Sequence, residues 1–420
     1  MPDSGRNAIG DLAETCVWPE EGLTRIPDWV YTSREVYERE VERIFHGPCW
    51  SYVGLEAEVP NPGDFKRSFL GPTPVILTRD REGAVHVLAN RCAHRGAELC
   101  RAARGNAKEL VCPYHQWTYD LAGNLIGVPF RRGLKKEGGM PPGFRLEEHG
   151  LRRLKVARRG GVVFATFAAE IEPLEEYLGP EILVDFDAVF DGRELEILGY
   201  YRNIQPANWK LYHENLKDPY HATLLHAYLV TFGLLVAGNK STMIVDASGR
   251  HGTMGSAKGD EVKVDDASRR EMRAFHEQMK LHDGRILDYV REFRSPWSVT
   301  MQTIWPNLVV QRELNTLGTR HIVPHGPDEF TMIWTMFGYK GDTPEMTRHR
   351  LRQGNLMGPA GFLGLEDNEA MKFVQDGLEK SRAGAAVVEL GGREEGSSRT
   401  LITEAAIRSM YRHWRQVMEL

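Results

Sequence analysis

Four side chains in the first third of the chain have the types and spacing of metal ligands. Cys92-Ala93-His94 is followed, after 17 residues, by Cys112-Pro113-Tyr114-His115. Each segment offers one thiolate and one imidazole, which converge on one point if each segment is a loop between strands. Two chemistries use such a set. Structural zinc favours C-x2-4-C and H-x3-5-H pairs. One Cys and one His from each loop suits instead a [2Fe–2S] cluster, with two thiolates on one iron and two imidazoles on the other. A second set lies farther along: His221 and His226, with Asp218 three residues before the first. Two His and one carboxylate form the facial triad of non-haem Fe(II) oxygenases, which leaves coordination positions open. The five-residue spacing is not that of an HExxH zinc protease, and no Glu follows His221. On a regular helix, at about 100° per residue, the two imidazoles would point about 140° apart, so a shared metal requires a break between them. The carboxylate must come from elsewhere. Glu366 and Asp367, after Gly358-Pro359-Ala360-Gly361, are the candidates, and spacing alone does not choose between them.

The elements that position these groups are partly legible. Thr32-Ser33-Arg34-Glu35 can cap a helix through Val36, Val41 and Ile44. Thr73 to Thr78 and Ala84 to Leu88, divided by a polar turn at Asp80 to Gly83, read as a hairpin leading into Cys92. Val162 to Phe167 reads as another strand. Pro206 to Tyr228 has helical spacing interrupted at Pro219. Leu308 to Leu314 and Thr319 to Val323 read as paired strands, and residues 342–357 and 402–418 as helices. The expected class is α+β: an all-β N-terminal unit, then an antiparallel sheet with covering helices.

Composition excludes several function classes. At 420 residues, 41 % hydrophobic and 26 % charged, the chain suits two cores rather than a disordered or fibrous chain. A net charge of −5 gives no basic excess for nucleic acid. Apolar runs such as Val162 to Ala169 are far short of the ~20 residues a membrane helix needs. Met1-Pro2-Asp3-Ser4 lacks the features of a secretory signal, and five cysteines do not make a disulfide framework; a cytoplasmic location is expected. Cys16, Cys49 and Cys100 read as ordinary buried thiols. There is neither GxGxxG nor GxxxxGK[ST], so nicotinamide is expected to bind another chain.

CAHRG and CPYHQW, with Tyr119 after them, resemble the Rieske proteins. Ala97 and Tyr114 stand where respiratory-chain Rieske proteins carry an extra disulfide, so the resemblance is to the low-potential type that feeds oxygenases. Together with the second constellation, the chain resembles the large (alpha) subunit of Rieske ring-hydroxylating oxygenases over nearly its whole length. That resemblance implies a Rieske domain at 48–168, a helix-grip (START-like) catalytic domain at 169–420, and an N-terminal helical segment, 1–47, packing on the latter. It assigns Cys92, His94, Cys112 and His115 to the cluster. It assigns His221, His226 and Asp367, the second acid of its Gly-rich [DE]-D pattern, to the iron. It places Asn215 beside the iron and gives Asp218 the link to His115 of a neighbouring chain, hence a cyclic trimer. Asp218 also reads as a helix cap before Pro219. The implied partners are a ferredoxin, an NADH-dependent reductase and a small beta subunit in an α3β3 assembly.

Within the family, PNPGDFKR, GVPF, KDPYH and TRHI are most similar to aromatic-carboxylate hydroxylases, those acting on salicylate above all. The expected reaction is salicylate 5-hydroxylation to gentisate. The alternatives are cis-dihydroxylation of anthranilate or terephthalate, then a demethylase-type monooxygenase. Arg320, on a strand, could clamp a carboxylate with its guanidinium fork if it faces the cavity. Gln311 could orient a ring substituent, and Val230, Phe232, Leu234 and Phe362 could form an aromatic slot.

Overall fold

The computed structural model describes residues 16–135, 137–235, 239–257, 270, 272–381 and 384–420. The chain divides into two units, one of residues 45–171 and one of residues 1–44 with 172–420.

The unit of residues 45–171 is built from short strands separated by turns. A four-stranded antiparallel sheet runs Val85–Ala89, Thr73–Arg79, Asp64–Leu70, Arg104–Asn106. The hairpin expected at 73–88 is its centre, with Ile76 and Leu88 directly paired. A three-stranded sheet joins Lys155–Arg159, Val162–Thr166 and Ser51–Leu55. A second small sheet joins Leu110–Val111, Thr118–Tyr119 and Leu125–Gly127. The core between them holds Leu88, Cys92, Cys112, Trp117, Tyr119 and Leu121, all fully buried. Both candidate ligand pairs therefore lie on loops anchored at a strand end.

The other unit is built on a seven-stranded antiparallel sheet. Its order is Leu195–Gln205, Phe330–Tyr339, Thr316–Pro324, Leu308–Glu313, Val299–Ile304, Gly252–Ser256, Ser241–Val245. The central strands are buried along their whole length, because helices and connecting segments cover both faces. Five helical pieces of this unit carry the chemistry. Asn208, whose side chain accepts from Lys210 N, caps the helix Trp209–Lys217. Pro219 opens the turn Pro219–His221, and the short helices Ala222–Leu225 and Ala227–Thr231 follow. The helix Phe362–Lys380 returns with Asp367 on its buried side. In the N-terminal segment, Ser33 caps Arg34–Glu40 as its spacing predicts, and a π-turn occupies Val41–Phe45. Pro344–Met357 and Ala405–Met418 are the two helices read at 342–357 and 402–418.

Candidate metal centres and cavity

The two N-terminal ligand loops have the same backbone plan. Cys92 N–H donates to Ala97 O, and Gly96 N–H donates back to Cys92 O, both at 2.9 Å. Cys112 N–H donates to Trp117 O at 2.9 Å, and Gln116 N–H donates to Cys112 O at 3.0 Å. The fourth residue after each Cys has positive φ: Gly96 at 74° and Gln116 at 56°. Gly96 takes this left-handed conformation without strain. The tight loops turn His94 and His115 toward each other, with ring centroids 4.5 Å apart. Trp117 stacks flat on His94, its ring 4.9 Å away and tilted by only 5°. Tyr119 lies 3.3 Å from Cys92 Sγ and accepts from Ala93 N–H at 3.1 Å. Cys92 and Cys112 are buried and form no disulfide. His94 Nδ1 is buried without a hydrogen-bond partner, a costly state for an imidazole nitrogen unless a metal takes its lone pair. The donor set fits a cluster of two thiolates and two imidazoles. Cys100 is buried, and its Sγ–H donates to Ala102 O.

In the larger unit, the break that a shared metal demands falls at His226. Its φ and ψ of −85° and 89° are not helical, and they separate Ala222–Leu225 from Ala227–Thr231. His221 and His226 then face one centre together with Asp367, and their donor atoms lie within 4.8 Å of one another. Asp367 Oδ1 is 3.4 Å from His221 Nε2 and 3.2 Å from His226 Nε2. Each imidazole is held from behind by a carboxylate. His221 Nδ1–H donates to Asp218 Oδ1 at 2.6 Å and lies 2.9 Å from the Asp218 carbonyl. His226 Nδ1–H donates to Glu366 Oε2 at 2.7 Å. These bonds fix both tautomers and leave both Nε2 lone pairs pointing to the centre. Burial alone would raise the Asp367 carboxyl; the two imidazoles outweigh it and hold it well below the usual carboxylate range. Asn215 Nδ2 reaches Asp367 Oδ1 at 3.2 Å and His221 Nε2 at 3.3 Å, beside the centre. Asp218 does stand before Pro219, but its side chain makes no capping bond; the carboxylate goes to His221 instead.

A cavity opens beside this centre, concave and apolar with a few polar groups at one end, as small-molecule sites are. Its walls are almost wholly apolar, including Leu229, Leu234, Met254, Met301 and Leu363. Away from the centre, the polar side chain on the wall among the described residues is Glu313. Of the slot residues expected from the sequence, Leu234 is on the wall. Val230 is not: it is buried against Ala274, with Met272 and Phe275 beside it, and its neighbour Leu229 takes the wall position. Phe362 is 52 % exposed, and Leu363 takes its place. Each of these expectations was one helical step, about 100°, out of phase. Phe232, at the end of Ala227–Thr231, is also off the wall. Arg320 and Gln311 do not line the cavity either. Arg320 is fully buried, its guanidinium carbon 3.9 Å from the centre of the Trp334 ring, and donates to Tyr212 Oη at 2.5 Å and to Gln311 Oε1 at 3.3 Å. Gln311 Nε2 in turn donates to Glu313 Oε2 at 2.9 Å. Glu313 went unread in the sequence, and Glu366 was read there as a candidate iron ligand rather than as the partner of His226. Glu313 was legible as the residue two after Gln311, hence on the same strand face.

Two loop-held Cys–His pairs and a His–His–carboxylate centre with an apolar cavity define an iron-dependent oxygenase of two metal sites. Residues 49–137 match the Rieske [2Fe-2S] domain, and residues 193–420 match the ring hydroxylating alpha subunit (catalytic domain). The chain belongs to the Rieske ring-hydroxylating oxygenases, as an alpha subunit. It is 50 % identical over 409 residues to the large oxygenase component of salicylate 5-hydroxylase from Ralstonia sp., covering 96 % of both chains. It is 44 % identical over 413 residues to the large subunit of anthranilate 1,2-dioxygenase from Burkholderia cepacia, covering 98 % of this chain and 97 % of that one. The fold is similar to naphthalene 1,2-dioxygenase from Rhodococcus sp., with a TM-score of 0.76 at 25 % identity over 94 % of each chain. The protein is thus an oxidoreductase that carries a Rieske [2Fe–2S] cluster and a mononuclear iron, and its family works with separate electron-transfer partners. Among the described residues no helix is long and apolar enough to cross a membrane.

Proposed function

We propose that this chain is the large subunit of a terminal oxygenase that hydroxylates an aromatic carboxylate, and that the substrate is salicylate, converted to gentisate. The observation that carries the reading is the 50 % identity, spanning 96 % of both chains, to a salicylate 5-hydroxylase large component. In the balanced reaction one atom of O₂ enters the ring para to the phenol and the other leaves as water, with two electrons from NADH.

Cys92, His94, Cys112 and His115 would hold the cluster, and His221, His226 and Asp367 the iron. When bound, these groups supply single-electron transfer and O₂ activation. The chain's own residues do the rest. Asp218 and Glu366 keep each Nε2 directed at the centre, so neither imidazole must reorient during turnover. The apolar walls exclude water and take up the ring. Asp218 also accepts from His115 of a neighbouring copy, which makes a cyclic trimer the working unit. A ferredoxin, an NADH-dependent reductase and a small beta subunit in an α3β3 assembly complete the system, in the cytoplasm.

The test is turnover by the purified protein with reductase and ferredoxin, with and without the small subunit, on salicylate, anthranilate, terephthalate and benzoate. Gentisate from salicylate, at a kcat/KM at least tenfold above the others, is the expected result. A diol-derived product from anthranilate or terephthalate without gentisate would replace the substrate, as would an O- or N-demethylated product.

A further inference from the structure

An aromatic acid brings a negative charge into a cavity on whose wall, among the described residues, no Lys or Arg stands. The guanidinium that could meet it, Arg320, lies behind the wall, and the residue that does reach the wall is another acid, Glu313. Arg320, Gln311 and Glu313 form one hydrogen-bonded chain, all on the cavity face of the central sheet. The register is the reason. Gln311 is paired with Met301 and Glu313 with Val299, both wall residues, and Arg320 lies two residues beyond Gly318, the partner of Gln311. Gly318 has no side chain to separate Arg320 from Gln311.

We propose that Glu313 receives the substrate: its carboxyl is protonated in the complex and donates that proton, as a hydrogen bond from Oε1, to the carboxylate of the aromatic acid. This rests on the aromatic-acid reading above and deepens it. Oε2 accepts from Gln311, which suits the carbonyl oxygen of a neutral carboxyl and leaves Oε1–H for the ligand. An O–H···O⁻ bond is among the stronger hydrogen bonds, and it avoids two adjacent carboxylates. The charges close. The compartment gains one anion and one proton, and Arg320, whose Nη2 is buried without a partner, remains as the fixed positive charge behind Gln311. The titratable groups that act on Glu313 are Arg320, His226 and Asp367, with the phenols of Tyr212 and Tyr228 nearby. Burial raises the Glu313 carboxyl above the usual carboxylate range, while Arg320 and the bond from Gln311 act the other way.

The test is equilibrium binding of salicylate and benzoate to the iron-loaded protein by titration calorimetry, for wild type, Glu313→Gln and Glu313→Leu, at pH 6.5 and 9. Neither ligand changes ionisation in that range. The amide of Glu313→Gln is a permanent neutral donor, so its affinity should stay within about threefold of wild type, whereas Glu313→Leu should bind at least about tenfold more weakly. Wild type should weaken by about tenfold or more between the two pH values, and Glu313→Gln should not. Leucine-variant binding within twofold of wild type, a Gln variant as damaged as the Leu variant, or parallel pH profiles would each overturn the proposal. If a variant does not fold, the wild-type pH profile decides alone: an affinity flat from pH 6.5 to 9 refutes it. A wild type that binds no aromatic acid sinks the substrate reading itself; one that binds while Glu313→Leu binds equally sinks only the role of Glu313.

Discussion

The two histidines of the mononuclear centre are supported unequally. His221 Nδ1 has two oxygens within reach, the carboxylate and the carbonyl of Asp218. His226 Nδ1 has the Glu366 carboxylate. Removing the Asp218 side chain leaves a carbonyl to hold the ring, whereas removing Glu366 frees the imidazole to turn. Carboxylates that hold a metal-binding imidazole from behind are worth about 10–100-fold in metal affinity or activity. Glu366→Ala is therefore expected to weaken iron binding by about that factor, measured by chelator competition, with the visible absorption of the cluster unchanged. Asp218→Ala should retain more iron than Glu366→Ala, yet lose at least about 100-fold in turnover if Asp218 makes the link to a neighbouring copy's His115 proposed above. Equal iron loss in the two variants would remove this asymmetry. At this scale the sequence was informative where chemistry restricts residue type. Cys92, His94, Cys112, His115, His221, His226 and the Glu366–Asp367 pair all stood out as donors. Glu313, the support that Glu366 gives His226 and most of the wall did not, because a carboxylate or a Leu at such a position is locally ordinary and only the tertiary fold gives it a partner.

At the scale of elements, Asp367 depends on how the helix Phe362–Lys380 begins. The turn before it is glycine-rich for want of space. A Cβ on Gly361 would lie 2.1 Å from the carbonyl oxygen of Leu356, and one on Gly364 would lie 2.6 Å from Pro359 Cα. Both obstacles are backbone, so the helix itself would have to move. Such overpacking costs about 1–3 kcal/mol and shifts the chain. Gly361→Ala is expected to lose about one iron per chain by elemental analysis while acid-labile sulfide stays constant; full iron retention would show that the turn yields without displacing Asp367. The same element explains a misreading. Helical spacing was read over Pro206 to Tyr228 but not over Phe362–Lys380, and in neither place was the phase legible, since Phe362 and Val230 are as apolar as Leu363 and Leu229. Phase is set by what packs from outside the segment. The interruption at His226 could be required by chemistry in advance but not located, because no Gly or Pro marks it.

For the molecule as a whole, the two units meet acid differently. In the larger one, burial disfavours the protonation of three histidines, His213, His251 and His413. His213 Nε2–H donates to Pro306 O at 2.9 Å, and His251 links Tyr177 O and Trp305 N–H at 2.8 and 3.0 Å. Burial pushes His213 and His251 down to about 3 and His413 to about 4. An unfolded chain protonates histidine near pH 6.5. Between that pH and about 3 to 4, the unfolded state takes up protons that the fold refuses. Stability is therefore fully present above pH 6.5 and falls as pH drops, by up to about 1.4 kcal/mol per unit for each ring. The unit of residues 45–171 has no buried histidine: His46, His86, His94, His115 and His149 are all at least partly exposed. Acidification from pH 7.5 to 5.5 is thus expected to lower amide protection in Gly252–Ser256 and Val299–Ile304, which flank His251 and Trp305, well before it does so in Val162–Thr166 and Thr73–Arg79. Hydrogen exchange resolved by segment measures this directly. Parallel loss in both units would mean that these histidines do not set the acid limit, and a His251→Gln protein that kept the wild-type pH dependence would say the same of that ring.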